Sequence, residues 1–403
     1  MRIALITREY PPETAWGGIG SFYHAFADAL AAAGHEVEVF TQSLRPAGAG
    51  SRGNPAVHGI APRQWLIGPR AGGDFAGMPI AAIGWFALSL ARGLAKAFFR
   101  RHAQAPFDVV EGHEHLGVNA LIHSGERGRC ASVTRLHTAY HSLVRRGLVH
   151  WPRSGIIRRL ERRSLAGADL RIAGSEFIRR CTQEDFPAAP MAEAVVPHLV
   201  RVPGAAPPPF HAREKLIVFA GRMDPGVKRP LMAARAFAAL AARFPDWRIE
   251  FAGADIPASG GGTAWHECEE TLLPHGGRYS YHGALDAGQV QALYRRARIA
   301  LFPSAFESFG LSALEAMAAG AVPVAADGTA LPEVIGTAGV CFPADSQKDL
   351  TAALAALMEN EPRLQELSAA CAARVREAFP AGAIVQRNLE LYERVARSRA
   401  EGR

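Results

Sequence analysis

Cysteine is scarce in this sequence of 403 residues, and the few that occur lie far apart. The five thiols are Cys130, Cys181, Cys268, Cys341 and Cys371. Zinc sites and disulfide frameworks need paired cysteine spacings, so the sequence argues against both. Scattered thiols are typical of a reducing compartment, and we expect a cytoplasmic protein.

Long apolar runs are also lacking, with one exception from Met78 to Phe99. Arg92 and Lys96 fall inside that run, and Gly84 and Gly93 interrupt it. This favours a core or interfacial helix over a membrane-spanning one. The amino-terminal residues show no basic segment followed by an apolar segment and a cleavage site, so no secretory signal is predicted.

Charged residues are only 21% of the chain, whereas apolar residues are 49%. This balance argues against disorder, and 403 residues are too many for one ordinary core. A buried strand is predicted at Ile3–Thr7, a helix at Ser21–Ala33 and a second strand at Val37–Phe40. Strands and helices that alternate with short links predict parallel sheets.

The clearest linker is the proline-rich stretch 203–209, after which the alternation starts again. We therefore predict an α/β protein with two doubly wound, Rossmann-like domains, residues 1–205 and residues 206–380. Residues 381–403 are predicted to form a final helix that packs back toward the first domain.

The most specific segment follows a predicted strand that ends at Pro303. A short loop leads to a helix that begins near Gly310, and Glu307 and Glu315 stand eight residues apart in the loop and the helix. The N–H groups at such a helix start suit a diphosphate. Glu307 is placed to bind sugar hydroxyls, and Glu315 to accept the two hydroxyls of a ribose.

A second segment carries two cations after a strand that runs into Gly221. Arg222 and Lys228 lie in the loop that follows. A nucleoside diphosphate that leaves during a reaction gains negative charge, and fixed cations stabilise it. We expect these two residues to replace Mg²⁺.

An NAD-dependent oxidoreductase is disfavoured, although it too would be built on Rossmann domains. Its Gly-x-Gly-x-x-Gly motif should directly follow a strand. Here Gly18 and Gly20 are followed by Tyr23 in place of the third glycine, and they lie far from Thr7.

Together, the Glu-x7-Glu segment, the Gly-Arg…Lys pair and the Gly-x-Pro-Val strand after them resemble glycosyltransferase family 4. Further similar segments cover most of the chain: Gly17-Gly18, Gly34-His35, Ala168-Asp169…Gly174-Ser175, Tyr281–Leu285 and Leu331–Val334. The resemblance implies the GT-B fold, in which two Rossmann-like domains face a central cleft. It also implies a retaining, metal-independent transfer.

The resemblance assigns roles residue by residue. It implies that Arg222 and Lys228 grip the donor phosphates, that Glu307 contacts the donor sugar, and that the strand-end His137 approaches the transferring sugar. Glu315 would hold the ribose. The remaining donor-binding positions are Gly17, Gly18, Gly221, Ser308, Phe309, Gly310 and Leu311.

We therefore expect a glycosyltransferase that moves a sugar from a UDP- or GDP-sugar to a glycan or lipid-linked acceptor. No cofactor and no metal are predicted, because the pair His113 and His115 lacks the further ligands of a zinc site. Residues 111–115 are instead interpreted as the rim of the acceptor site. The alternative is a non-catalytic relative that binds nucleotide sugars as a scaffold protein.

Two segments depart from the family pattern. Residues 44–75, rich in Gly, Pro and Arg, are predicted to form a long loop, and Val196–Val200 stands where the family often has an Asn-Gly turn. Both lie where the acceptor would be recognised.

Positive charge is concentrated in the first half, and residues 145–180 hold ten arginines against three acids. This stretch is either a solvated helix face or a surface for an anionic membrane or acceptor. Apolar neighbours such as Ile156, Ile157 and Leu160 would let an interfacial helix enter the membrane boundary. Nucleic acid is disfavoured, because no aromatic residues alternate with the arginines.

Overall fold

The structure is a computed structural model that describes residues 1–14, 17–43, 53–60, 80–123, 130–149, 154–200, 206–256 and 262–401. The chain divides into two compact units. Unit 1 consists of Met1–Val200 and Ala381–Arg403, and unit 2 of Arg201–Pro380.

Unit 1 is built on a parallel sheet of seven described strands. They are β1 (Arg2–Thr7), β2 (Glu36–Gln42), β3 (Ala56–Ile60), β4 (Val109–His113), β5 (Ala131–Leu136), β6 (Leu170–Ala173) and β7 (Ala194–Val195). Their order is β3-β2-β1-β4-β5-β6-β7, so the order in which strands are added to the sheet reverses between β1 and β4. In an open sheet of this kind, ligands bind at the carboxyl ends of the strands around the reversal.

Helices connect these strands. They are α1 (Gly18–Ala32), α2 (Ile80–Gln104), α3 (Tyr140–Arg145), α4 (Gly155–Gly167) and α5 (Glu176–Asp185). The central strands are buried on both faces, as in β1, where Ile3, Leu5 and Ile6 are fully buried. Such continuous apolar strands are what a sheet covered by helices requires.

The long helix α2 includes residues 80–99 of the apolar run noted in the sequence, and residues 78 and 79 lie outside the described residues. Over Ala82–Gln104 it is long and apolar enough to cross a bilayer, but half of its most apolar stretch is buried in the protein. Ile83, Leu90 and Phe98 all lie in the hydrophobic core. A core helix of a globular unit therefore accounts for the run.

Unit 2 carries a second parallel sheet, of six described strands in the order β10-β9-β8-β11-β12-β13. They are β8 (Leu216–Ala220), β9 (Arg248–Ala252), β10 (Tyr279–Tyr281), β11 (Ile299–Phe302), β12 (Val322–Ala326) and β13 (Val340–Phe342). The helices are α6 (Pro230–Leu240), α7 (Ala264–Leu272), α8 (Ala287–Arg296), α9 (Leu311–Ala318), α10 (Leu331–Ile335), α11 (Gln347–Glu359) and α12 (Glu361–Ala378).

The last helix, α13 (Ala381–Ala400), belongs to unit 1 and not to unit 2. Its Leu391 and Tyr392 are buried. The chain thus leaves unit 2 at Pro380 and ends in unit 1.

The predicted loop over 44–75 is wrong in part, because residues 56–60 form β3. This strand pairs in parallel with β2, from Glu38 opposite Ala56 to Gln42 opposite Ile60. The sequence did not indicate this strand, because proline and glycine, here Pro55 and Gly59, are rare within strands. Residues 44–52 and 61–75 of that prediction, and 203–205 of the predicted linker, lie outside the described residues.

Candidate functional site

In unit 2 the chain leaves β8 through a short turn that presents two cations. Asp224 shapes this turn, because its Oδ1 accepts the N–H groups of Gly226 and Val227, each at 3.0 Å. Its backbone oxygen accepts the N–H of Lys228 at 3.0 Å. Arg222 is 57% exposed, with its Nη2 3.6 Å from the Asp224 carboxylate.

Gly221 marks a close approach of two backbones at the end of β8. A side chain on Gly253, after β9, would lie 1.8 Å from the Gly221 oxygen, and Gly253 has a φ of +148°. A Cβ at Gly221 would itself meet only the stem of Lys228, at 3.9 Å. Gly253 is therefore required by the fold, whereas the space over Gly221 is shared with Lys228.

The two predicted donor loops meet through Lys228 and Glu307. The Lys228 Nζ donates a hydrogen bond to Glu307 Oε2 in an ion pair whose side chains are 26% and 20% exposed. The backbones are joined as well, since Ala305 N–H donates to the Val227 oxygen at 2.8 Å. Residues that are 79 positions apart in sequence thus form one charged group at the carboxyl ends of β8 and β11.

Helix α9 starts directly beside this ion pair. Its N-cap is Gly310, with a φ of +107°, and no side chain caps it. A Cβ at Gly310 would lie 2.6 Å from Leu331 Cδ2, so glycine is needed for space as well as for backbone conformation. The first N–H groups of a helix have no partner within it, which makes this end a site for an anion.

Glu315 lies one turn and a half into α9, in a different environment from Glu307. Burial raises its pKa to about 7. The nearby Tyr294 of α8 is fully buried, and its pKa is raised by burial first and then by the negative charge of Glu315. Tyr294 was not predicted at this site, because a tyrosine in an amphipathic helix is usually a core residue.

The main-chain positions predicted around Glu307 fall in this same loop. Phe309 is buried, and its ring packs edge-on against Phe379 with centroids 6.0 Å apart. The backbone oxygen of Glu307 accepts the N–H of Ala330 at 3.0 Å. Ser308 and Leu311 are half-buried on either side of Gly310. The loop is therefore rigidly held before any ligand arrives.

In unit 1, Gly17 and Gly18 stand at the start of α1, where Gly17 is the N-cap. A Cβ at Gly17 would lie 2.3 Å from Glu9 Oε2, but a Cβ at Gly18 would meet nothing within 4 Å. Gly17 is therefore needed for the Glu9 carboxylate. Gly18 has no such steric reason, and the open space above it is available to a ligand.

His137 directly follows β5, as a strand-end residue should. Its ring is 4% exposed and packs among aromatic rings, with centroids 5.2 Å from Phe22 and 4.5 Å from His198. Burial lowers the pKa of His137 well below its usual value, so the ring is neutral. Among the described residues, its Nε2 has no hydrogen-bond partner.

Gly174 explains part of the segment that departs from the family pattern. A Cβ there would lie 2.6 Å from Cε1 of His198. The ring of His198 thus occupies the space that this glycine leaves, and in turn it supports His137. An imidazole has replaced the Asn-Gly turn beside the candidate site.

The prediction that residues 111–115 form the rim of a binding site is wrong. Glu111, His113 and Glu114 are fully buried. Glu111 accepts two hydrogen bonds from Arg135, both at 2.8 Å, and one from the Tyr392 hydroxyl of α13. A charge of each sign in adjacent apolar strands was the sequence signal for this buried pair.

The arginines of α4 lie on one exposed face, while its apolar residues are turned inward. Arg158, Arg159, Arg162 and Arg163 are exposed, whereas Ile157 and Leu160 belong to the core. The interpretation that these two apolar residues enter a membrane boundary is therefore wrong. Arg145 and Arg146 both pair with Asp185, and Trp151 and Arg153 lie outside the described residues.

In the described ranges, no group of three or more His, Cys, Asp or Glu side chains is arranged to hold a metal ion. The groups that face the donor loops are instead a lysine, an arginine and two carboxylates, Glu307 and Glu315. These can bind an anion and hydroxyl groups.

Two doubly wound units, with a cation and a carboxylate at the strand ends of unit 2, have the architecture of GT-B glycosyltransferases. Residues 16–202 match the model of Glycosyltransferase Family 4, and residues 206–377 match that of Glycosyl transferases group 1. The chain belongs to glycosyltransferase family 4.

Curated relatives agree with this assignment, and a solved structure shares the fold. The chain is 28% identical to a D-inositol 3-phosphate glycosyltransferase of Kineococcus radiotolerans, over 96% of this chain and 92% of that protein. It is 28% identical to a phosphatidyl-myo-inositol mannosyltransferase of Mycolicibacterium smegmatis, over 90% and 85%. Its fold is similar to that of sucrose-phosphate synthase from Thermosynechococcus elongatus, with a TM-score of 0.77, 19% identity and coverage of 98% and 99%.

Proposed function

We propose that this glycosyltransferase transfers a sugar, with retention of configuration and without a metal ion, from a UDP- or GDP-sugar to a glycan or lipid-linked acceptor. The observation that carries the proposal is the Lys228–Glu307 ion pair beside the uncapped start of α9. A donor needs both kinds of group, a cation for its phosphates and a carboxylate for its sugar hydroxyls.

In the proposed reaction, the bond between the anomeric carbon and the diphosphate breaks first. The leaving diphosphate takes the electron pair and moves toward Arg222 and Lys228, whose charges stabilise it. An acceptor hydroxyl attacks the same face and loses its proton, which the departing phosphate oxygen can take. Glu307, which the ion pair with Lys228 holds at the strand ends, accepts hydrogen bonds from hydroxyls of the donor sugar.

The acceptor side of the proposal rests on unit 1. The relatives named above act, by their names, on an inositol phosphate and on a phosphatidyl-inositol. An anionic or lipid-linked acceptor made at the cytoplasmic face of a membrane suits the four exposed arginines of α4. We propose a cytoplasmic enzyme that contacts that surface peripherally.

The test is the release of free nucleoside diphosphate from a panel of UDP-, GDP- and ADP-sugars. Arg222→Ala and Lys228→Ala should each lower turnover at least about 100-fold, the usual scale for losing one charge-stabilising group. Lys215→Ala is the matched control, since Lys215 pairs with Asp246 away from these loops. Nucleotide binding without any release would favour the non-catalytic alternative.

A further inference from the structure

Two acids of unit 1, Glu114 and Glu161, are buried without a basic partner among the described residues. Both are fully buried, Glu114 after β4 and Glu161 in the middle of α4. In the described part of the chain, neither forms an ion pair with a lysine or an arginine. Each accepts hydrogen bonds from backbone N–H groups instead.

Most of these backbone donors belong to the short segment that follows β5, and the others belong to the turn after β4. Both carboxylate oxygens of Glu114 accept the backbone N–H of His137, each at 3.0 Å. Glu161 accepts the N–H of Tyr140 at 2.6 Å and the N–H of His141 at 3.1 Å. The two acids thus hold the two ends of the segment 137–141.

The remaining contacts extend this arrangement to the turn after β4. Glu161 also accepts the backbone N–H of Leu116 at 3.1 Å. The ring nitrogen Nδ1 of His115 lies 2.8 Å from the backbone oxygen of Thr138. The turn that carries Glu114 is therefore tied to the same segment from two sides. The backbone around His137 has little freedom to move.

This arrangement is costly for the fold. Burial raises the pKa of Glu114 to about 7 and that of Glu161 to about 8. Burial disfavours the charged form of both acids, whereas the backbone N–H groups that they accept favour it. A carboxylate offers something that an apolar side chain does not, because its two oxygens accept several N–H groups at once.

We propose that Glu114 and Glu161 are positioning residues, which act on the reaction by fixing the backbone of residues 137–141 and thereby the His137 ring. This inference rests on the proposed function, in which His137 approaches the transferring sugar. The His137 ring packs against Phe22 and His198. The backbone of residue 137 sets how far the ring extends between these neighbours. A displacement of 1 Å at a reacting group can cost about 100-fold in rate.

The experiment compares Glu114→Gln and Glu161→Gln with the wild type, using UDP- and GDP-sugars and measuring nucleoside diphosphate release. We expect turnover to fall about 10- to 100-fold, because an amide offers one acceptor oxygen and turns N–H donors toward the backbone donors. The affinity for free UDP or GDP should not change. Glu38→Gln is the matched control, since Glu38 is a buried acid of β2 that pairs with Arg2 and Arg101.

A double-mutant cycle separates positioning from general damage to the fold. In a His137→Ala background, Glu114→Gln should cause almost no further loss of turnover, because Glu114 acts through His137. The same loss in both backgrounds would overturn the proposal, as would normal turnover of the Glu114→Gln and Glu161→Gln variants.

Hydrogen exchange keeps the test independent of activity. The amides of residues 137–141 should exchange faster in both Gln variants, while those of β1 stay protected. Unchanged exchange in that segment would overturn the proposal. A wild type that releases no nucleoside diphosphate would instead reject the proposed function. If the Gln variants do not fold, Glu114→Asp and Glu161→Asp keep the charge, shorten the reach and are expected to show the same effects.

Discussion

At the scale of single residues, Glu307 and Glu315 differ more in environment than in sequence position. Glu307 is neutralised by Lys228, whereas the pKa of Glu315 is raised to about 7 by burial. An ion-paired acid at the loop suits the sugar, and a half-buried acid in the helix suits the ribose. The two roles are separable by experiment.

Glu315→Gln should weaken the binding of free UDP or GDP about 10- to 100-fold. An amide keeps one acceptor oxygen, so one hydrogen bond to a charged group is lost, worth about 1.5 to 3 kcal/mol. Glu307→Gln should leave that affinity nearly unchanged and mainly lower turnover. Calorimetric titration and a diphosphate-release assay measure the two quantities, with Glu366→Gln on the exposed side of α12 as control. Affinity that depends on residue 307 and not on residue 315 would show that the roles are reversed.

The raised pKa of Glu315 also predicts how binding depends on pH. Below about pH 7 the free protein holds Glu315 protonated, and only the ionised carboxylate accepts both ribose hydroxyls. Nucleotide affinity should therefore rise as pH increases from about 6 to 8, because bound nucleotide lowers this pKa. Titrations at several pH values test this.

The Glu315→Gln variant is the control, since it keeps the titration of the nucleotide phosphates but lacks the carboxyl. The same slope in both proteins would assign the whole effect to the phosphates. The stability of the fold changes with pH in the direction opposite to nucleotide affinity. A folded-state pKa above the ordinary value of 4.5 means that the contribution of Glu315 to stability is lost as pH rises from about 4.5 to about 7.

At the scale of elements, α4 separates its two faces completely. Its apolar side is part of the core, and its four exposed arginines form no ion pair with another described residue. Any attraction to an anionic membrane is then purely electrostatic, on the order of 1 kcal/mol for each arginine near the surface.

We therefore expect the protein to bind vesicles that contain anionic lipid at low salt and to leave them at high salt. Replacement of Arg158, Arg159, Arg162 and Arg163 by Glu should abolish binding with the fold retained. Flotation with neutral vesicles is the first control, and Arg243→Glu, an exposed arginine of unit 2, is the second. Native protein that stays free of anionic vesicles at low salt would leave α4 as a solvated face.

Elements of regular pattern were predictable from the sequence. The predicted strands Ile3–Thr7 and Val37–Phe40 lie within β1 and β2, because continuous apolar runs between turn residues are typical of covered parallel strands. Strand β3 was not predictable, since Gly59 and its neighbours are only half-buried and lack an apolar run.

The candidate site was predictable where chemistry is local to a loop, and not where distant segments meet. Glu307 and Lys228 were each singled out by their motifs, but nothing in the sequence pairs them. The Arg135–Glu111 pair with Asn388 and Tyr392 joins segments that are more than 250 positions apart. Such a buried network depends on tertiary packing, which spacing along the chain does not encode.

At the scale of the whole molecule, charge is divided between the two halves of the sequence. Residues 1–205 carry 24 basic against 16 acidic side chains, and residues 206–403 carry 21 against 22. The excess of positive charge lies on the half that we assign to the acceptor. In the half assigned to the donor, the cations that matter are the few fixed beside the loops after β8 and β11.

This division leads to the last prediction, which concerns metal ions. A Mg²⁺ ion that bridges phosphates contributes several kcal/mol of charge stabilisation, and it needs carboxylate ligands to hold it. Of the acids beside the donor loops, Glu307 pairs with Lys228, Asp224 accepts N–H groups of its own turn, and Glu315 lies within α9 with its pKa raised to about 7 by burial. Arg222 and Lys228 supply positive charge at that place.

Turnover should therefore survive exhaustive treatment with EDTA, measured as diphosphate release from the best donor of the panel. Addition of Mg²⁺ or Mn²⁺ afterwards should change the rate little, and a parallel assay of a Mg²⁺-dependent enzyme verifies that chelation was complete. Loss of activity on chelation, restored by a divalent ion, would show that the cations of the protein do not replace the metal.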